Sequence, residues 1–142
     1  MKIVMMKRLA LAIFFSFFLL HQAVAADSGT AAAIMAAEDF LLLLDTGQYA
    51  QSWDAAASFF QSQIPKERWV QQISALRPAF GKVTNRLILD ARHMTQLPGA
   101  PDGEYVVIQY ESSFENKLQA TETITPMLDN DGKWKVSGYY IQ

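Results

Sequence analysis

The chain has no cysteine among its 142 residues. That excludes disulfides, thiol nucleophiles, thiolate metal sites and a lipidated cysteine. Histidine is nearly absent too, with only His21 and His93, so no two histidines share the i, i+4 spacing of a helical metal site. Lys and Arg do not cluster beyond the first few residues. A nucleic-acid partner is therefore not expected, because such binding needs grouped cations that displace counterions. No Gly-rich loop precedes a helix in the way a phosphate cradle requires. The glycines of Leu97–Gly103 are interrupted by Pro98 and Pro101, with no helical pattern after them.

Only one long apolar run occurs, Leu9–Leu20. It is shorter than the roughly 20 residues that span a bilayer. Lys2, Lys7 and Arg8 precede it and Ala23-Val24-Ala25 follows. A basic start, a short apolar stretch and an Ala-x-Ala motif make a secretory signal peptide over 1–25, cut before Ala26. Export to the periplasm or outside the cell is expected, with no stable membrane insertion after cleavage. The remainder, 26–142, is a single domain of 117 residues, large enough for its own core. It keeps nine of the 12 Lys and Arg and all 14 Asp and Glu, a net charge of about −5.

Within that domain the apolar period is first helical. Thr30 suits an N-cap, and Ala33, Ile34, Ala37, Phe40, Leu41 and Leu44 mark one face of a helix over Ala31–Leu44. Gly47 stands at the usual C′ position. The run Leu41–Leu44 is apolar all round, which predicts cover on more than one side. A second helix is expected from about Tyr49 to Phe59. A third should start near Pro65, bury Trp69, Val70, Ile73 and Leu76, and end at Pro78 and Gly81.

From Val83 the period becomes two. The first strand runs to about His93, with Val83, Leu87, Leu89, Ala91 and His93 on one face. Glu104–Phe114, Gln119–Leu128 and Lys133–Ile141 follow, and Asn130-Asp131-Gly132 is a strong hairpin signal. Pro126 inside the third strand implies a bulge or an N–H side turned away from the ladder. The expected fold is α+β, three N-terminal helices on an antiparallel sheet of about four strands. Imperfect alternation predicts a sheet that is strongly curved and partly covered on both sides, or one that offers an apolar face to a partner.

One further pattern carries a resemblance. Trp69, Arg77-Pro78, Gly81 and Arg86 are followed by Leu97-Pro98-Gly99-Ala100-Pro101-Asp102-Gly103-Glu104-Tyr105. Glu122-Thr123 and Asp131-Gly132-Lys133-Trp134-Lys135-Val136-Ser137-Gly138-Tyr139 complete it, with Gly47, Tyr49 and Ser52-Trp53 upstream. This arrangement resembles the secreted bacterial domain of unknown function 4019 family. The resemblance implies a small exported domain with a cone-shaped, nuclear-transport-factor-2-like α+β fold, and it carries over no activity.

Two residues are candidates for chemistry. His93, the one histidine after the leader, reads either as a core or rim histidine or as a general base at the open end of a cone. Glu122 shares a period-two face with Ile124 and Leu128. It needs either an ion pair with Arg86 or Arg77, or a role as a ligand-anchoring or proton-transferring carboxylate. No cofactor and no metal are expected. Asp129-Asn130-Asp131-Gly132 lacks the other ligands of a calcium loop and reads as a turn.

Aromatic residues are the remaining signal. Trp53, Trp134 and Tyr140, with Glu122, are the candidate lining of an apolar ligand pocket, and core packing is the competing account. Tyr139, on the opposite strand face, is expected to be the most exposed aromatic. The leading function is a non-enzymatic module that binds a small apolar ligand or a protein partner. The alternatives are a small lyase or isomerase using His93 or Glu122, and a structural subunit forming a homodimer through the sheet.

Overall fold

The change of period at Val83 divides the molecule into a helical layer and a sheet. A computed structural model describes residues 21–142, with side chains from residue 28 onward. Most of the expected signal peptide lies outside the described residues. Helix α1 spans His21–Asp45, α2 Tyr49–Ala55, α3 Ser58–Gln63 and α4 Lys66–Phe80. Strands β1 (Val83–Met94), β2 (Tyr105–Phe114), β3 (Lys117–Leu128) and β4 (Trp134–Ile141) follow. All pairs are antiparallel, and the sheet order is β1-β2-β3-β4. The fold is α+β with helices followed by a four-stranded antiparallel sheet.

The helical layer departs from expectation in number, because the predicted second helix is two. Ala56 and Ala57 are extended, with ψ of 162° and 150°. The Ala57 N–H leaves the helix to donate to the Val136 carbonyl of β4 at 2.8 Å. This bond to the sheet replaces a helical one and turns the chain. At the other end, α1 runs through Thr30, so Thr30 is inside the helix and not its cap. Its C-terminus is as expected. Gly47 has φ of 73°, its N–H donates to Leu44 and the Gln48 N–H donates to Leu43, which is a Schellman closure.

Pro78 lies in the last turn of α4, and Gly81 ends the helix with φ of 75°. A side chain at Gly81 would stand 2.9 Å from Glu115 Cβ, so both conformation and space require glycine there. On α4, Trp69 and Ile73 are buried as predicted. Leu76 is 41% exposed, and Arg77 is buried in its place.

The core lies between α1, α2, α4 and the sheet. Ala33, Ala37, Phe40, Leu41 and Leu44 supply the buried face of α1, against Val106, Ile108, Ile124 and Val136. Phe40, Phe60, Trp69 and Tyr139 meet ring to ring at 5.0–6.5 Å. Both helical indoles are satisfied: Trp69 Nε1 donates to Ser52 Oγ and Trp53 Nε1 to the Ile64 carbonyl, each at 2.9 Å. In the run Leu41–Leu44, Leu41 and Leu44 are buried, Leu43 is half-buried and Leu42 is 60% exposed.

Two bulges decide which side chains face the core. On β1, Ile88 pairs with Tyr110 and Asp90 with Gln109, leaving Leu89 as an extra residue. On β4, Gly138 pairs with Thr125 and Val136 with Pro126, leaving Ser137 extra. The second bulge lies opposite Pro126, as its missing N–H suggests. Each extra residue reverses the in-out alternation beyond it. Tyr139 therefore points to the core and Tyr140 is 61% exposed, the reverse of the expectation for this pair. On β1 the extra residue puts Leu87 and Ala91 on opposite faces, and Leu87 and Leu89 lie exposed.

Candidate functional site

Four charged side chains converge where the C-terminus of α1 and the last turn of α4 reach the sheet. Asp45 is the last residue of α1, Arg77 comes from α4, Arg86 from β1 and Glu122 from β3. Glu122 is fully buried. Arg86 Nε donates to its Oε1 at 2.8 Å, Ser112 Oγ donates to the same oxygen at 2.6 Å, and the Tyr139 hydroxyl donates to Oε2 at 2.8 Å. Arg77 Nη1 stands 3.4 Å from Oε2. These four donors occupy the four lone-pair sites of an ionised carboxylate. Asp45 closes the ring: Arg86 grips it with Nη1 at 2.7 Å and Nη2 at 3.1 Å, and Arg77 Nη2 also pairs with it.

The two carboxylates and two guanidiniums cancel in formal charge, which is the condition under which buried charges persist. Burial opposes the charge of Arg86. The Asp45 hydrogen bond and the charges of Glu122 and Asp45 outweigh it and hold the guanidinium more basic than usual. Burial and then the Glu122 charge push the Tyr139 phenol above its ordinary value, so it remains a donor. Glu122 pairs with both arginines that its sequence position suggested, and with Ser112 and Tyr139 the arrangement is a lock between the helices and all four strands.

The other candidates lie elsewhere. His93 is half-exposed on β1, with Nε2 against Glu104. Its partner across the ladder is Val106, four residues from Tyr110, which pairs with Glu122. That is ~13 Å along the strand at ~3.3 Å per residue. Trp53 and Trp134 are partly buried at the edge of the core, and Tyr140 is exposed. None of Trp53, Trp134, Tyr140 and Glu122 lines the groove described next.

An open groove of about 520 Å³ runs between α1 and the β1–β2 pair. Helix α1 contributes Glu38, Leu41, Leu42 and Asp45. The sheet contributes Arg86, Leu87, Ile88 and Tyr110. Asp45 and Arg86 are also members of the charged lock, so the lock forms the polar end of the groove. Tyr110 is 2% exposed and its hydroxyl has no hydrogen-bond partner among the described residues. Burial first, then the charge of Glu38, push this phenol up to about 12.

Sequence reasoning did not single out Glu38, Asp45 or Tyr110. The first two, with Leu41 and Leu42, fall at i, i+3, i+4 and i+7, a helix face whose ends are acidic. Tyr110 was legible as a buried-face residue, and its hydroxyl is the part that needs a partner.

Among the described residues no three His, Asp or Glu are grouped so as to hold a metal ion, and no helix is long and apolar enough to cross a membrane. No curated protein and no solved structure matches the chain. The profile of one family, protein of unknown function (DUF4019), matches residues 36–139. That span holds the whole lock and the whole groove, and the chain belongs to that family.

Proposed function

We propose that this protein is an exported, non-enzymatic binding module of the cone-shaped, nuclear-transport-factor-2-like kind. Its ligand is a small apolar molecule held in the groove between α1 and β1–β2. The observation that carries this reading is the groove itself, with Leu41, Leu42, Leu87 and Ile88 around the buried phenol of Tyr110. Its volume is in the range of small-molecule sites, ~300–1,000 Å³. Its polar end is anchored by an ion-pair network whose members already satisfy one another. This site replaces the aromatic pocket of Trp53, Trp134 and Tyr140 in the proposal. Export rests on the leader pattern of 1–25.

The test is native mass spectrometry of the protein purified from its own periplasm. The expected spectrum has a chain beginning at Ala26 with a retained small-molecule mass. A bare chain alone contradicts the binding reading, and a chain that still begins at Met1 contradicts the export reading.

A second reading is a protein partner or a second copy on the edge strand β1. It is favoured by Leu87, Ile88 and Leu89, three consecutive large apolar residues left 42–59% exposed. Light scattering at high concentration separates the homodimer from a monomer. The lyase or isomerase alternative draws less support, since neither His93 nor Glu122 lines the groove and Glu122 has its acceptor sites filled.

A further inference from the structure

Tyr110 holds a buried hydroxyl without a partner among the described residues. Such a group is costly if nothing pairs with it, and folded proteins contain few. Three charged residues act on the phenol: Glu38, Arg86 and Glu122. Glu122 has its acceptor sites filled, and Arg86 is engaged with Glu122 and Asp45. Glu38 is the remaining one. It is exposed, two helical turns before Asp45 on the same wall of the groove. Tyr110, with its buried and unpaired phenol O–H, and Glu38, with its unlocked carboxylate, thus both line the groove beside an apolar floor.

We propose that Tyr110 is the head-group recognition residue of this groove, and that the ligand is an uncharged amphiphile ending in a hydroxyl. This rests on the groove being the binding site. The ligand hydroxyl accepts a hydrogen bond from the Tyr110 O–H and donates its own hydrogen to the Glu38 carboxylate. A carboxylate head would accept from Tyr110 but stand against Glu38, in a groove where Asp45 and Arg86 already cancel. An ammonium head would pair with Glu38 but brings no lone pair for the Tyr110 hydrogen. An ammonium can also donate to the Tyr110 oxygen, but only a head that both accepts and donates pairs the Tyr110 hydrogen together with the Glu38 carboxylate. The alkyl body lies along Leu42, Leu87 and Ile88. Exposed side chains such as Leu42 and Leu87 change rotamer on fast timescales, which opens the way to the phenol.

The test uses 1-octanol, octanoate and octylammonium, which share a chain length and differ only in the head. Each is titrated into isotope-labelled protein while the amide resonances of α1, β1 and β2 are followed. Octanol should bind more tightly than either ion, by on the order of tenfold, the worth of one hydrogen bond. Tyr110→Phe should abolish that preference while retaining weak binding, and should keep or raise the melting temperature. Glu38→Gln should reduce the penalty on octanoate. Equal binding of the three heads in the groove, unchanged by Tyr110→Phe, overturns the head-group assignment and leaves the groove as a site. A fall in melting temperature for Tyr110→Phe also overturns it, because the hydroxyl is then bonded within the fold. No shift of groove amides with any probe overturns both this inference and the binding reading.

Discussion

Arg86 on β1 reaches Glu122 on β3 at 2.8 Å, across the intervening strand β2. Ser112, the ladder partner of Arg86 on β2, donates to the same carboxylate oxygen. Three successive strands are thereby tied at one point. Asp45 and Arg77 extend the tie to α1 and α4. The contact joins segments far apart in the chain, so it fixes how the helical layer sits on the sheet.

Removing the charge of Glu122 should be costly. Glu122→Gln keeps the size but leaves the buried Arg77 and the partly buried Arg86 facing Asp45 alone. Breaking a buried ion pair from one side costs about 3–5 kcal/mol, a large part of the ~5–15 kcal/mol that stabilises a typical domain. Urea denaturation measures it. A loss below about 1 kcal/mol would mean that the arginines reach water and that the lock is not a structural tie.

Neighbouring tyrosines should respond very differently. Tyr139→Phe removes a hydrogen bond to a charged, buried carboxylate, worth about 1.5–3 kcal/mol. Tyr140→Ser alters an exposed side chain and should stay within about 0.5 kcal/mol. The same denaturation experiment reads both. The opposite order would place the Ser137 bulge wrongly and return Tyr140 to the core side.

These cases show what was legible in the sequence. The four strands and their order follow from a period of two and from turn residues such as Asn130-Asp131-Gly132. The need of Glu122 for a cation follows from its place on a buried face. The bulge at Leu89 was not legible, because an extra residue carries no composition signal of its own, whereas the one on β4 was signalled by Pro126 though not placed at Ser137. The first puts Leu87 and Ala91 on opposite faces, and the second reverses the positions assigned to Tyr139 and Tyr140. The split between α2 and α3 was hidden for a related reason: it depends on a backbone bond from Ala57 to β4, and alanine is otherwise a strong helix former. Asp45 falls between the expected helix end at Leu44 and Gly47, and its role in the lock needs the strands to be in place.

Acid should weaken the anchor of α3. Asp129, in the β3–β4 turn, accepts from the Ser58 N–H at 3.0 Å and from the Ser58 hydroxyl. Burial would raise its pKa, but the Ser58 bonds, the Asn130 N–H and Lys135 outweigh burial and hold it down at about 2. A carboxylate lowered in the folded state from an ordinary value of about 3.9 stabilises the fold fully above that value. The contribution fades as pH falls from about 4 towards about 2. Asp129→Asn should flatten that part of the stability–pH curve, as followed by thermal melts across the window. An unchanged slope in the variant would show that the clamp is not ionised as described.

As proposed, the groove between α1 and β1–β2 holds a small apolar ligand. Leu42 and Leu87 line it and are 60% and 57% exposed, so replacing both with Asp should change stability little while making the apolar floor unfavourable. Native mass spectrometry of the wild type and of Leu42→Asp/Leu87→Asp, both purified from the native host, is the most direct measurement. The account predicts a retained small-molecule mass on the wild type that is lost from the folded variant. Retention of the same mass by both proteins, or by neither, would contradict it.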